Sequence, residues 1–402
     1  MRTLFIARDL PYPADNGYRK RNFYFLKALS ERGVGITLLC EDAAPDKKNA
    51  LDYLKTLCEE VIIIEPKKQN KLSALLFSLF SSLPFSVALR NSKMAKKQVN
   101  KCLRDKNFDA VICDAIFRSM NVPLQYRGFK MLYEHNIESI IVKRYAQQEK
   151  NILKKLLALL ESKKLEKFET KTWNRFNCTA TCSATDKEII ENRARDAKVY
   201  IIPNGVDSGY FSPDSYGLQR NSIVYTGQIG WHPNEDALLY FVRTIYPIIK
   251  KEEPTTSLWI VGNNPTSKIR MLARNDSSII ITGYVDDVRP YIGEAHVYVV
   301  PLRIGSGTRL KILEALSMKK AIVSTSVGCE GIEVENNKHL LIRDGSVDFA
   351  NAVLEIMKND ELRIRLGKNG HRLIEEKYEW NTVFGNLDEM IETMKTTTKT
   401  NG

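Results

Sequence analysis

Apolar, β-branched runs alternate with stretches of helical periodicity along nearly all of the 402 residues. Short buried-strand patterns separated by helical ones make βα units around parallel sheets. In the first half the pattern predicts strands at Thr3 to Ala7, Gly35 to Leu39, Val61 to Ile64, Ala110 to Cys113, Lys130 to Tyr133, Cys178 to Cys182 and Val199 to Ile202. In the second half it predicts them at Ser222 to Thr226, Ser257 to Val261, Ile279 to Ile281, Val297 to Pro301, Ala321 to Ser324 and His339 to Ile342. Between the two sets, Pro203, Gly205, Gly209, Pro213 and Gly217 punctuate a polar stretch without periodicity, which reads as a linker over 204–221. The fold class is therefore α/β, with two doubly wound parallel-sheet domains at 1–203 and 222–376. A last helical pattern over 377–394, with Trp380, Val383, Phe384, Leu387, Met390 and Ile391 as its apolar face, is expected to cross back to the first domain. The tail after Met394 reads as disordered.

Composition narrows this picture. With 43% apolar and 27% charged residues, 21 glycines and 14 prolines, the chain is neither a multi-span membrane protein nor a fibrous or low-complexity one. Its seven cysteines form no C-x-x-C pair and read as reduced thiols of a cytoplasmic protein, Cys178 and Cys182 sharing one buried strand. The five histidines lack metal-site spacing, so no bound metal is expected. Leu4 to Ala7 is too short for a signal-peptide core.

The net charge of +12 is concentrated. Lys67 to Arg104 holds nine basic residues (67, 68, 71, 90, 93, 96, 97, 101, 104) and no acidic one, and Lys143 to Arg175 holds ten basic and four acidic residues. The first stretch surrounds Leu75, Leu76, Phe77, Leu79, Phe80, Leu83 and Phe85; the second interleaves Leu153, Leu156, Leu157, Leu160 and Leu165 with lysines. Residues 72–89 are uncharged, but five serines and Pro84 argue against a spanning helix. Two readings stand: apolar faces with basic flanks that meet an anionic membrane surface, peripherally on the inner face, or solvated helices whose leucines face the domain core. Nucleic acid is not an expected partner, because no recognition motif is present.

The chemistry-bearing segment runs from His296 to Ile332, HVYVVPLRIGSGTRLKILEALSMKKAIVSTSVGCEGI. A buried strand leads into Gly305, Ser306 and Gly307, and a helix is expected to begin near Thr308. Glycines let backbone amides approach a ligand, and a helix N-terminus offers unpaired N–H groups with a favourable dipole. Arg309 and Lys311 in the first turn oppose that dipole unless an anion is bound. Glu314, further along the helix, is placed to reach the hydroxyls of a ribose.

This segment, with IPNGVD at 202–207, YTGQIGWHPNEDAL at 225–238, WIVGNNP at 259–265 and ITGYVDDVRPYI at 281–292, resembles the retaining family 4 glycosyltransferases, most closely those of bacterial surface glycan and exopolysaccharide synthesis. The resemblance implies the GT-B fold, two facing Rossmann-like domains with a cleft between them. It further implies an acceptor-binding first domain and a second domain that binds a nucleoside-diphosphate sugar, UDP- or GDP-linked, as co-substrate without a cofactor. The acceptor would be a glycan or a lipid-linked glycan, and the product a polysaccharide, lipopolysaccharide or other surface glycan. By the family pattern Glu314 meets the ribose, Gly305, Ser306, Gly307 and Thr308 hold sugar and phosphates, Gly227 lies in the phosphate loop, and Tyr284 and Val285 pack on the base. In the first domain, Gly17 belongs to a turn facing the donor phosphates and His135 contacts the transferred sugar. Two departures stand out: the family's usual glutamate eight positions before Glu314 is Ser306, and the Arg and Lys that many relatives carry after the first strand of the second domain are missing from GQIGWH. Arg309 and Lys311 take over that role on this reading, with His135 as the third catalytic candidate.

The resemblance also implies same-face attack in which the leaving diphosphate accepts the acceptor's proton. None of the 20 aspartates has another two positions away, so the metal-binding triplet of the other large glycosyltransferase fold is lacking, and a metal-independent reaction is expected. Two alternatives share the fold: a catalytically inactive peripheral membrane or scaffold protein, and a sugar-nucleotide epimerase.

Overall fold

The computed structural model describes residues 1–41, 48–65, 70–213 and 216–400. Two compact units appear, one comprising Met1–Pro203 with Phe384–Gly402 and the other Asn204–Val383. Lys67 and Lys68 of the first basic stretch lie outside the described residues.

The first unit carries β1 (Arg2–Ala7), β2 (Gly35–Glu41), β3 (Glu60–Ile64), β4 (Ala110–Asp114), β5 (Phe129–Tyr133), β6 (Cys178–Thr181) and β7 (Val199–Ile201). They form one sheet in the order β3-β2-β1-β4-β5-β6-β7, with every neighbouring pair parallel. The second unit carries β8 (Gln219–Thr226), β9 (Ser257–Val261), β10 (Ile279–Gly283), β11 (Ala295–Val300), β12 (Ile322–Ser324) and β13 (Leu341–Ile342), ordered β10-β9-β8-β11-β12-β13 and again parallel throughout. Each run predicted from the sequence is a strand, displaced by a few residues at its ends. These runs are legible because a parallel sheet covered on both faces needs apolar residues at consecutive positions. In β11, Val297 and Val299 pack on one side of the sheet while Tyr298 and Val300 pack on the other.

In each sheet the strand order reverses once, between β1 and β4 and between β8 and β11. At such a switch point the loops leaving the two strands diverge to opposite faces and open a crevice beyond their carboxyl ends, where α/β proteins bind ligands.

Three expectations about the connections are corrected. Residues 204–213 are packed into the second unit instead of forming a free linker: Val206 and Phe211 are buried in its core, Val206 N–H donates to Tyr378 O at 2.8 Å, and Ser317 Oγ donates to Phe211 O at 2.8 Å. The pattern over 377–394 is not one helix but the end of Asp360–Lys377, a short helix Trp380–Val383, and Leu387–Thr400. Gly385 lies in the break. The last helix continues past Met394, because Met394 is itself buried and Thr393 and Thr396 hydroxyls bond carbonyls one turn back at 3.0 Å. Within the first unit this returning segment is tied by Arg32, which donates to Phe384 O at 2.8 Å and to Asp388 at 3.0 Å.

One backbone crossing fixes the geometry of the second switch point. Gly262, just past β9, has φ +147°, and a Cβ there would lie 1.7 Å from Gly227 O. Neither the dihedral nor the space admits another residue. Gly262→Ala should destabilise the protein by about 3 kcal/mol in denaturant unfolding monitored by circular dichroism; a loss within experimental error would show that the loops do not cross as described.

Candidate functional site

In the second unit the loop that leaves β11 and the helix Leu310–Ser317 meet the loop that leaves β8, at the switch point. The helix starts two residues later than the sequence suggested. Arg309 is its N-cap, in extended conformation, and contributes no side-chain cap. Gly307 has φ +72°, a left-handed conformation that glycine adopts without steric cost. The Arg309 guanidinium folds back over the loop. It donates to Ser306 O and, at 3.0 Å, to Gly307 O, and lies where a Cβ on Gly305 would be, 1.9 Å from Nη2. Gly305, Ser306 and Arg309 are all buried. Arg309 therefore braces the loop through its carbonyl groups, which orients the peptide planes of the turn.

Thr308 is held by a residue that the sequence reading placed in a linker motif. Asn204 Nδ2 donates to Thr308 Oγ1 at 2.6 Å and to Thr308 O at 3.3 Å. On the opposite side Arg303 makes a bidentate pair with Asp236 at 2.6 and 3.1 Å, so both ends of the turn are anchored.

Lys311 is the charged group at the centre. Its Nζ lies 3.9 Å from the centroid of the Tyr225 ring, donates to Asn234 Oδ1 at 3.3 Å, and would be 2.8 Å from a Cβ on Gly227. Among the described residues it has no carboxylate within 4 Å. Burial pushes its pKa down to about 7, and neighbouring Arg309 adds to the shift while Glu314 opposes it. An ammonium held mostly by neutral partners is a charge awaiting an anion. Asn234, which the sequence reading did not single out, organises this corner: it also accepts from Tyr225 OH at 2.5 Å and donates to Gln228 O at 2.8 Å. Glu314 is buried one turn beyond Lys311. Gly283 ends β10, and Tyr284 and Val285 follow it; Gly283 O accepts from Gly262 N–H at 3.0 Å, Val285 packs against the core, and Tyr284 is 64% exposed.

Gly17 and His135 lie in the first unit. Asn16 caps the helix Gly17–Glu31 by accepting from Arg19 N–H at 3.0 Å, and the next residue, Tyr18, packs its ring against His135 with centroids 4.9 Å apart. His135 Nε2 is bonded to Asp114 Oδ1. Asp114 ends β4, next to the first switch point, and accepts from Asn22 Nδ2 at 2.9 Å. Burial lowers the His135 pKa from its ordinary value against the pull of Asp114, and burial raises that of Asp114. Beside them, Glu134 is buried and accepts from Ile116 N–H at 3.2 Å and Trp173 Nε1–H at 3.3 Å; desolvation pushes its pKa well above the carboxylate range. Arg21 is fully buried, donating to Cys182 Sγ and, at 3.0 Å, to Ile202 O, with its guanidinium 4.3 Å from the Tyr133 ring. Asp114, Glu134 and Arg21 escaped the sequence reading because single polar residues inside apolar runs carry no periodic signal.

All seven cysteines are buried thiols outside any disulfide. Among the described residues no group of three or more His, Cys, Asp or Glu side chains is arranged to hold a metal ion.

Residues 220–359, which contain the second switch point, match the family model described as glycosyl transferases group 1. Over 397 residues, 96% of this chain and 98% of the relative, the sequence is 23% identical to an uncharacterized 44.6 kDa protein in the cps region of Klebsiella pneumoniae. Over 230 residues, 52% of this chain and 60% of the relative, it is 23% identical to the capsular polysaccharide biosynthesis glycosyltransferase CapM of Staphylococcus aureus. Among solved structures, sucrose-phosphate synthase from Thermosynechococcus elongatus superposes with a TM-score of 0.72 at 15% identity, covering 98% of this chain and 99% of that one. A glycine-to-arginine mutant of S. aureus TarM, solved with fondaparinux, α-GlcNAc-glycerol and UDP, gives 0.69 at 13% identity, covering 98% of this chain and 99% of that one. The family match is confined to residues 220–359, and the likeness to the solved structures shows the GT-B fold of two Rossmann-like domains.

Proposed function

We propose that this protein is a retaining, metal-independent glycosyltransferase of the family 4 type that moves a sugar from a nucleoside diphosphate to an acceptor hydroxyl in bacterial capsule or other surface polysaccharide synthesis. The observation that carries the reading is the Lys311 amine at the second switch point, held by Asn234 and the Tyr225 ring without a carboxylate in ion-pair contact among the described residues, against the braced Gly305–Thr308 turn. In transfer, the bond from the anomeric carbon to the β-phosphate oxygen breaks, the acceptor oxygen bonds to that carbon from the same face, and the acceptor's proton passes to a phosphate oxygen. Negative charge grows on the departing diphosphate. Oriented cations and amides that are already in place stabilise it without reorganisation, commonly the largest catalytic contribution. Lys311, the field of Arg309 and the turn amides fill this role, Glu314 takes the ribose, and exposed Tyr284 stacks on the base.

UDP is the first donor nucleotide to test, because TarM was solved with it. The acceptor-side reading assigns the first domain to the glycan, with His135 as its titratable group. The capsule context rests on the relatives in the cps region and on CapM.

Three outcomes follow. UDP or its sugars should raise the melting temperature of the wild type, and Lys311→Met or Glu314→Gln should lower turnover by about a hundredfold or more while neither lowers the unliganded melting temperature; equal turnover in all three proteins would refute the donor-site assignment. Turnover should persist in excess chelator, and activity lost to chelator and restored by manganese would contradict metal independence. Lys311 also offers a substrate-free check. Its folded pKa of about 7 lies below the unfolded value of about 10.4, so between these values the unfolded state binds more protons and wild-type stability rises with pH. The stability advantage of Lys311→Met over wild type should shrink as pH rises from about 7 to about 10, and a gap independent of pH would mean that the ammonium is solvated.

A further inference from the structure

Two helices of the first unit are built inside out. Lys71–Leu79 buries Ala74 and Ser78, one turn apart, and leaves Leu72, Leu76, Phe77 and Leu79 exposed; Phe80, at its C-terminus, is 91% exposed. The first half of the 24-residue helix Ile152–Arg175 repeats the arrangement. Ala158 and Ser162 are buried, whereas Ile152, Leu153, Leu156, Leu157 and Leu160 are exposed. Only from Leu165 onward does a large apolar face turn inward, with Leu165 and Trp173 fully buried. A helix that packs on a core shows it its large residues; here small residues face the protein and leucine and phenylalanine face outward.

The two helices are joined. The Glu161 carboxylate accepts from the backbone N–H groups of Phe85 and Ser86 at 2.8 Å and so caps the short helix Phe85–Ala88 that follows the first one. Lys164 donates to Ser78 O and, at 2.9 Å, to Ser81 O. The outward apolar side chains thus flank one packed junction, well beyond the singly scattered exposed residues normal for a soluble surface.

Glu149 and Glu161 at the margins are taken up by hydrogen bonds to Tyr145, Asn151, Phe85 and Ser86, and the charges among the outward apolar residues are basic. Lys71 is the only charged residue between Asn70 and Leu89, and Lys150, Lys154 and Lys155 are the only ones from Lys150 to Leu160; all four are exposed. Among the described residues no helix is long and apolar enough to cross a membrane, so the surface lies on a bilayer if it meets one. A second copy of the chain is the poorer occupant, because a symmetric contact would bring the same lysines against each other. We propose that this surface docks on an anionic lipid bilayer, with the leucines and phenylalanines entering the acyl boundary and the four lysines meeting headgroup phosphates. The inference stands apart from the proposed chemistry and would hold for an inactive protein.

The test is sedimentation of the full-length protein with phosphatidylcholine vesicles with and without phosphatidylglycerol at low salt, beside light scattering without lipid. Wild type should partition onto the anionic vesicles about tenfold more strongly than onto neutral ones, and less so as salt rises. Phe77→Ser with Phe80→Ser, or Leu153→Ser with Leu156→Ser on the other helix, should each cut partitioning about tenfold with the melting temperature kept, and Lys154→Gln with Lys155→Gln should weaken the preference for anionic lipid. The proposal is overturned if wild type ignores anionic vesicles, or if both apolar pairs bind as wild type does. It is equally overturned if the apolar pairs convert a dimer to monomer while lipid binding is absent.

Discussion

The donor pocket depends on an amine, Lys311, that the second domain holds with no carboxylate in ion-pair contact among the described residues and only the field of Glu314 in its favour. Burying a cation is costly unless something compensates it, and among the described residues Lys311 is met by the Asn234 carbonyl oxygen and the face of Tyr225, with Glu314 as a partial offset. Its depressed pKa is the signature of that imbalance. The surrounding features follow from keeping it there. Asn234 is fixed by Tyr225 and Gln228, Gly227 leaves room for Nζ, Asn204 and Asp236 anchor the two ends of the adjacent turn, and Arg309 braces its carbonyls. The parallel order of the sheet puts these parts at one strand reversal, so topology and electrostatics meet at the same place.

The first domain shows the same economy with opposite polarity. Beside its own strand reversal, Asp114 is oriented by Asn22 and bonded to His135, while Glu134 and Arg21 are buried close by in the same network of strand ends. Buried polar groups of this kind add specificity of arrangement only when each is satisfied, and here backbone and indole N–H groups serve Glu134 while Ile202 O serves Arg21. On the helix Lys71–Leu79 and the first half of Ile152–Arg175 the domain turns leucines and a phenylalanine outward. Core packing cannot account for that face, and a lipid surface can.

Much of the fold was legible because buried parallel strands are written as uninterrupted β-branched runs, and Gly-rich turns punctuate them. The candidate donor loop was legible for the same reason: Gly305, Gly307 and the following amphipathic helix form a local pattern. What the chain hid was long-range. Nothing local marks Asn234 as the partner of Lys311, Asn204 as the anchor of Thr308, or Asp114 as the partner of His135, since each pair is joined only by the folded sheet. The stretch around Val206 and Phe211 read as a linker because two apolar residues among glycines and prolines make no period, although both enter the core. The leucines of the basic helices were ambiguous in principle. Helical spacing says that they share a face, but only packing decides which way it points.

Isothermal titration calorimetry of UDP in buffers of different ionisation enthalpy tests the central claim most directly. Near pH 8, free Lys311 with a pKa of about 7 is mostly neutral, and a bound diphosphate would restore its charge. The account predicts uptake of close to one proton per UDP bound by the wild type and none by Lys311→Met. UDP binding without proton uptake, or the same uptake in both proteins, would contradict it.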